Sequence, residues 1–137
     1  MGKKMLGSKS NEFLENLWLL LLRAGTGAFM LTHGIPKLMK LISGDTSFAD
    51  PFGIGQLPSF ILVVFAEFFC SVLVILGIMT RLATIPVIIT MSVAAFMIHG
   101  GQGFAKQELA LLYLLLFTTI LVFGSGRFAL GNLIRGN

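Results

Sequence analysis

The sequence predicts an all-α integral membrane protein, built as a four-helix up-down bundle. Apolar residues make up 55% of the 137-residue chain and charged residues only 12%, about half of the roughly 25% that is usual in soluble domains. Four apolar stretches are also long enough to cross the ~30 Å hydrocarbon core, which takes about 20 residues of helix. A water-soluble fold could not bury this much leucine and phenylalanine, and a disordered chain would not contain it. We therefore expect lipid to be the main solvent.

The apolar runs place the helices at about residues 14–40, 58–79, 82–99 and 108–124 of a single domain over 13–134, after a polar tail over 1–12. Glycine, proline and aspartate in the 43–57 segment favour a loop with a short interfacial piece around Phe48 and Phe52. Gly77 and Arg81 bound a tight link between the second and third helices. Glycines at 100–103 and 124–126 end the last two helices. Connections this short favour antiparallel neighbours.

The distribution of basic residues predicts the orientation of the bundle. With four spans, one side of the membrane holds six basic residues and the other holds three. The six are Lys3, Lys4, Lys9, Arg81, Arg127 and Arg135, and the three are Lys37, Lys40 and Lys106. Because cytoplasmic segments carry the excess of Lys and Arg, both termini are predicted in the cytoplasm. Outside the N-terminal tail the basic residues are scattered singly, so no nucleic acid is expected as a partner.

Two ionisable residues fall near the middle of predicted helices, Arg23 in the first and Glu67 in the second. A charge at that depth costs at least about 2.5–3.5 kcal/mol and normally faces the bundle interior with a partner. Each residue lies about 14 Å from the start of its helix, and the two helices run in opposite directions. We therefore expect an Arg23–Glu67 ion pair near the midplane. The pair is either a structural lock that fixes helix register or a functional charge.

Further polar residues are predicted to meet at the outer end of the bundle. His33 and Lys37 lie toward the end of the first helix, His99 ends the third, and Glu108 opens the fourth. A neutral imidazole can bind a metal, hydrogen-bond a carbonyl or carry protons. The spacing contains no dense metal-ligand motif, so no metal site is predicted. Together with Glu67, these four residues are candidates for binding a small ligand, although histidines near head groups also serve as plain interfacial hydrogen-bonding residues.

Several kinds of chemistry are excluded by what the sequence lacks. Cys70 is the only cysteine, which removes an intrachain disulfide, a CxxC pair and any cysteine-based metal cluster within one chain. The chain also contains no glycine-rich phosphate loop, haem-attachment motif or Ser–His–Asp arrangement. Catalysis with a soluble nucleotide is therefore not indicated.

Five segments resemble the DoxX family of small bacterial four-helix membrane proteins: RAGTGAFMLTHGIPKL (23–38), FADPFGIG (48–55), FAEFFCSVLVILGIMTRLATIPVIITM (65–91), AAFMIHGGQGFAKQELALLYLLLF (94–117) and GSGRFAL (124–130). The resemblance extends over about residues 17–133. Its more specific features are His33-Gly34-x-x-Lys37, Glu67, and Gly77 with Thr80–Arg81. The chain departs from the family pattern at Gln107, and at Phe128–Gly131, where members commonly carry Ser-Leu-Asp.

The resemblance implies a protein of the bacterial cytoplasmic (inner) membrane. The family's namesake is a subunit of an archaeal thiosulfate:quinone oxidoreductase, and other members look like components of membrane oxidoreductase or oxidative-stress systems. One hypothesis is therefore a quinone-interacting or redox-linked subunit, in which His33 or His99 hydrogen-bonds a quinone carbonyl. The other is a non-catalytic assembly partner or small-molecule carrier, in which Arg23 and Glu67 form a structural pair. The expected partners are the lipid bilayer and either subunits of a membrane complex or further copies of the chain, and the sequence leaves open whether the chain is an enzyme.

Overall fold

The computed structural model describes residues 11–134, and this part of the chain contains helices and no strands. Helix α1 runs over Glu12–Ile42, α2 over Gln56–Leu76, α3 over Thr80–Ile98 and α4 over Phe104–Phe123. A short helix that the sequence did not predict, α5, follows at Leu130–Ile134. The all-α fold class predicted from the sequence is confirmed.

The four long helices form a closed bundle in which α1 packs against α2 and α4, and α3 packs against the same two helices. Helices that follow one another in the chain are antiparallel neighbours. The ends of α1 and α3 therefore lie at the same end of the bundle as the starts of α2 and α4. The core consists of buried, mainly small or aliphatic residues from all four helices: Met30, Cys70, Val74, Ala83, Val87, Met91, Ala95, Ala110, Tyr113, Phe117 and Ile120.

Three of the helices, α2, α3 and α4, are long and apolar enough to cross a membrane. Helix α1 is longer, at 31 residues, but polar side chains such as Arg23, His33 and Lys37 interrupt its apolar run. Large apolar side chains cover the outside of the bundle, including Phe29 at 64% and Leu115 at 65% exposure. Apolar surface on this scale is not stable in water, which agrees with a bilayer as the surrounding solvent.

The helix ends follow local rules. Asn11 caps α1, because its side-chain oxygen accepts from the backbone N–H of Leu14 at 3.2 Å, and the helix therefore begins two residues before the predicted start. Helix α2 ends at Gly77, whose left-handed conformation allows Ile78 N to donate to the Leu73 carbonyl at 3.0 Å. Helix α4 begins at Phe104, four residues before the predicted start, because Gly103 at φ +95° ends the preceding turn there.

Close approach of α1 to α2 fixes the register between them. A Cβ atom on Gly34 would overlap the backbone carbonyl of Glu67, and one on Gly27 would lie about 3.1 Å from the carbonyl oxygen of Ser71. Glycine at position 34 thus permits a separation that any side chain would prevent, and glycine at position 27 leaves room for the Ile75 side chain of α2. The contacts set Gly34 level with Glu67.

We expect Gly34→Ala to destabilise the bundle, because the added methyl group meets the backbone of α2 rather than a movable side chain. Forcing extra atoms into such a contact costs about 1–3 kcal/mol. The matched control is Gly25→Ala in the same helix, where a Cβ has no neighbour within 4 Å. That substitution should instead be neutral or stabilising by up to about 1 kcal/mol through helix propensity. The free energy of unfolding in detergent micelles, measured for both variants, checks the difference in sign, and equal effects would contradict the register.

Candidate functional site

A buried ion pair joins α1 to α2 in the half of the bundle where α1 ends. Lys37 Nζ lies 2.5 Å from Glu67 Oε2, and the Glu67 side chain is 2% exposed whereas that of Lys37 is 32% exposed. The register explains the contact, since Lys37 follows Gly34 by about one helical turn and Gly34 packs on the backbone of Glu67. The bundle thus holds a carboxylate in its interior and satisfies it with an amine that reaches in from its edge.

The ion pair borders a cavity of about 330 Å³, which we call the chamber. Its polar side chains include Lys37, Glu67 and His99, from α1, α2 and the turn after α3. Most other lining residues are apolar: Phe48, Ala49, Pro51, Phe52, Ile54, Leu62, Val63, Ile89, Met91, Val93, Ala94 and Ile98. An apolar cavity with a few convergent polar groups is the usual form of a small-molecule site.

Glu67 and His99 also border a second, smaller cavity of about 180 Å³, which we call the side cavity. His33, Lys106 and Tyr113 line it as well. The rings of His33 and Tyr113 meet edge to face, with their centroids 5.6 Å apart. Glu67 therefore lies between an apolar chamber on one side and a cavity lined by two histidines, a lysine and a tyrosine on the other.

Two of the helices that border both cavities, α2 and α3, contain a π-helical segment there. In α2 it covers Phe65–Cys70 and includes Glu67, and in α3 it covers Ala94–Ile98 and ends directly before His99. A π-helical turn widens the helix and changes the direction of the following side chains, and such turns are frequent at functional sites. Gln107 of α4 supports the second segment, because its Nε2 donates to the carbonyl of Ala95 at 2.9 Å.

The loop between α1 and α2 closes one side of the chamber. The Phe48 ring stacks on Phe60 of α2 at 4.7 Å between centroids, and Lys40 Nζ donates to the carbonyl of Ser47 at 2.5 Å. Within the loop the Asp50 carboxylate accepts from Ile54 N at 3.0 Å, Gly55 N at 2.8 Å and Ser59 Oγ at 2.9 Å. Phe48 and Phe52, around which a short interfacial piece was expected, lie in irregular backbone and in a turn, respectively.

Asp50 is an acidic anchor of this loop. Partial desolvation raises the pKa of its carboxyl, but the hydrogen bonds from Gly55, Ser59 and Ile54 outweigh that effect and hold the pKa below its usual range. A carboxyl whose pKa is lower in the folded state stabilises the fold above its unfolded pKa. That stabilisation disappears as the pH falls through the folded value.

The Arg23–Glu67 ion pair expected from the sequence does not form. Arg23 Nη1 donates to the carbonyl of Ser125 at 2.6 Å and Nη2 to that of Phe128 at 2.7 Å. Gly77 lies beside the Arg23 guanidinium, so Arg23 is level with the end of α2. The eleven residues from Arg23 to Gly34 correspond to about 16 Å along α1. The prediction compared the distances of Arg23 and Glu67 from the starts of their own helices. It was wrong because the first turns of α1 extend beyond the level at which α2 ends.

The structure brings together four of the five predicted ligand-binding residues. Lys37, Glu67 and His99 line the chamber, and His33, Glu67 and His99 line the side cavity. Glu108 is exposed and lines neither cavity. Among residues 11–134, no group of three or more His, Cys, Asp or Glu side chains is arranged to hold a metal ion. Cys70 is buried in the core.

Sequence reasoning missed the roles of Asp50, Gln107 and Tyr113. Tyr113 is the only tyrosine in the chain and occurs in an otherwise leucine-rich stretch, which was a usable signal. Asp50 precedes Pro51 and Gly53 in a turn-forming sequence, but its hydrogen bonds to the start of α2 depend on the folded path of the loop.

A double-mutant cycle distinguishes the observed ion pair from the expected one. Lys37→Gln and Glu67→Gln should couple by more than about 1 kcal/mol in the free energy of unfolding, because they share one buried contact. Arg23→Leu and Glu67→Gln should be additive within about 0.5 kcal/mol, because the two side chains are far apart. Strong coupling in the second cycle would contradict the separation of Arg23 from Glu67.

Asp50→Asn should speed hydrogen exchange at the amides of Ile54 and Gly55 at neutral pH, because those amides donate to the carboxylate. The native chain should lose the same protection only on acidification below the ordinary range of an aspartate pKa, because the hydrogen bonds hold the pKa of Asp50 below that range. Asp45→Asn is the control, because the Asp45 carboxylate binds Ser47 instead. An unchanged exchange rate in Asp50→Asn would contradict the anchoring role.

Comparison with known proteins gives one match. The sequence profile described as DoxX matches residues 18–100, which cover most of α1, all of α2 and α3, and the residues Lys37, Glu67 and His99. No curated protein and no solved structure matches the chain. With more than half of the chain matched and three helices apolar enough to cross a bilayer, the chain belongs to the DoxX family and is a membrane protein in contact with lipid.

Proposed function

We propose that the chamber binds the head group of a quinone-type lipid, and that the chain is a quinone-interacting subunit of a membrane oxidoreductase system. The observation that carries the proposal is the convergence of Lys37, Glu67 and His99 on an apolar cavity of about 330 Å³ within a bundle whose outside is apolar. A quinone has a flat apolar ring with two carbonyl oxygens, and it reaches such a site from the lipid phase.

A quinone needs hydrogen-bonding partners for its oxygens and a source of protons when it is reduced, and the chamber has polar groups for both. The Lys37 ammonium supplies a hydrogen-bond donor for a carbonyl oxygen. His99 Nδ1 lies 3.2 Å from Gln102 Oε1, so a ring that donates its one N–H there leaves Nε2 as an acceptor, which suits a hydroxyl of the reduced quinol. Glu67 is a general acid or base beside them, because it is buried and lies between the two cavities. Reduction of a quinone takes two electrons and two protons. The chain has no motif for an electron-carrying centre, so a partner subunit would supply the electrons.

The proposed location is the bacterial inner membrane. In this arrangement α1 crosses the membrane together with α2, α3 and α4, and both termini are in the cytoplasm. The excess of basic residues on the side of the α2–α3 link supports that orientation. The chamber then lies in the outer half of the bundle, near the α1–α2 loop.

The alternative is a non-catalytic membrane component, either an assembly partner or a carrier of small molecules. The Lys37–Glu67 contact supports this alternative, because an ion pair between two helices also fixes their register. The pair that fulfils this role is Lys37–Glu67 and not Arg23–Glu67. The two functions differ in whether the chamber holds a quinone when the protein is extracted from the membrane.

Quinone content after purification tests the proposal. The native chain, extracted in mild detergent, should retain quinone that is detected in its organic extract. Glu67→Gln and Lys37→Gln should each weaken retention about tenfold or more, because each removes one charged hydrogen-bonding group from the chamber. Glu108→Gln is the matched control, since this carboxylate is exposed and lines neither cavity.

Two outcomes would overturn the proposal. One is native protein that carries no quinone and does not take it up when it is added. The other is equal retention in Glu67→Gln and in the control. Thermal unfolding of each variant separates loss of ligand from loss of fold, and His99→Gln provides a further chamber variant that leaves the Lys37–Glu67 pair in place.

A further inference from the structure

A third cavity lies at the opposite end of the bundle from the chamber and shares no lining residue with it. It encloses about 450 Å³ between the α2–α3 link and the segment that follows α4. Thr80 and Arg81 of α3, Phe123 of α4, and Gly124, Gly126 and Gly131 are among its lining residues. We call it the end cavity.

Arg81 is a cation that lines the end cavity, and most of its N–H donors make no hydrogen bond to the described residues. Its guanidinium packs on Gly124, where a Cβ atom would lie 3.1 Å from Nη2. Of the five N–H donors of an arginine, the described part of the chain engages one, in a long contact of 3.4 Å from Nη2 to the carbonyl of Val122. The site thus holds a fork of donors that matches the oxygens of a phosphate group.

Thr80 adds an independent observation. Thr80 is one of the residues that line the end cavity, and it is only 6% exposed. Its hydroxyl oxygen nevertheless has no hydrogen-bond partner among the described residues. Leaving a buried hydroxyl unpaired costs about 1–3 kcal/mol, so such a group calls for an explanation. A ligand oxygen in the cavity would provide the missing partner.

The backbone at this point adds positive potential. Thr80 is the first residue of α3, a helix that continues to Ile98. The preceding Met79 is left-handed, at φ 49°, and provides no side-chain cap. The first N–H groups of a helix have no acceptor within it, and the helix dipole places about half a positive charge there. An anion is the natural occupant of such a helix start when a cationic side chain and a free hydroxyl accompany it.

We propose that the end cavity binds a phosphate group, held by the Arg81 guanidinium, the Thr80 hydroxyl and the first N–H groups of α3. The group belongs either to the head of an anionic phospholipid or to inorganic phosphate in solution. The cavity lies where α2 ends and α3 begins, which is the level of the lipid head groups for two membrane-crossing helices. The site is separate from the chamber and does not depend on the function proposed for it.

Native mass spectrometry of the full chain, released from detergent micelles, tests this site. The protein is titrated with phosphatidylglycerol and, in a second series, with inorganic phosphate. Arg81→Gln should weaken binding about tenfold, as expected when a charged hydrogen bond is lost. Thr80→Val, which keeps the side-chain shape and removes the hydroxyl, should weaken it several-fold. Arg127→Gln is the control, because Arg127 is an exposed cation outside the end cavity and pairs with Glu12.

Arg81-dependent binding of phosphatidylglycerol that phosphate does not displace would identify a lipid head group as the ligand. Displacement by phosphate would identify the free anion, and both results support the site. The proposal is overturned if neither probe binds, or if Arg127→Gln weakens binding as much as Arg81→Gln does, because the effect then reflects overall charge. If Arg81→Gln does not fold, Thr80→Val decides: unchanged binding in that variant overturns the proposal.

Discussion

The contact between Gly34 and the backbone of Glu67 determines most of what the bundle can do. It brings α1 close to α2 at one level, and every other pairing between the two helices follows from the rise of about 1.5 Å per residue. Lys37, one turn further on, meets the Glu67 carboxylate. Arg23, three turns earlier, reaches the glycine turn that ends α2. Because of this one close approach, Lys37 and Arg23 lie in different environments although both belong to α1.

The two π-helical segments depart from regular α-helical geometry at residues that line the cavities. A π turn has weaker internal hydrogen bonding than an α turn and persists only where the surroundings support it. Around Ala94–Ile98 the support is Gln107, which binds a carbonyl of the widened turn. Around Phe65–Cys70 it is the packing of Gly34 and the ion pair of Glu67 with Lys37. Glu67 of the first segment and Ala94 of the second line both cavities, while Phe69 and Phe96 of the same segments face outward.

The fold class and the meeting of His33, Lys37 and His99 at one end of the bundle could be predicted, because apolar length identifies the helices and chain direction decides which ends meet. Glu67 was expected at the midplane with Arg23 instead, and Glu108, expected in the group, is exposed and lines neither cavity. The expected Arg23–Glu67 pair was wrong, because it assumed that all helices start at the same height. Gly27 and Gly34 determine the register between α1 and α2, but the sequence alone does not show which residues of α2 they contact. The contacts of Asp50 and Gln107 depend on the path of a loop and on a widened helix turn, and neither leaves a periodic pattern in the sequence.

Arg23 and Lys37, the two cations of α1 that reach into the bundle, have different partners. Lys37 and Glu67 form an ion pair, so the charge of the buried carboxylate beside the apolar chamber is balanced by an amine that reaches in from the edge of the bundle. Separating the two would leave an unpaired charge in a low dielectric, which is costly. The side cavity, which His33, His99 and Lys106 line together with apolar residues, adjoins the same carboxylate. Among residues 11–134, Arg23 is bound by the neutral carbonyls of Ser125 and Phe128 and by no carboxylate, so its charge has no counter-ion there and adds to that of Arg81 at the end opposite the chamber. The bundle therefore holds a balanced ion pair in the half that contains the chamber and cations without a carboxylate partner among the described residues in the half that contains the end cavity. This difference fits the carbonyl-bearing ligand proposed for the first cavity and the phosphate group proposed for the second.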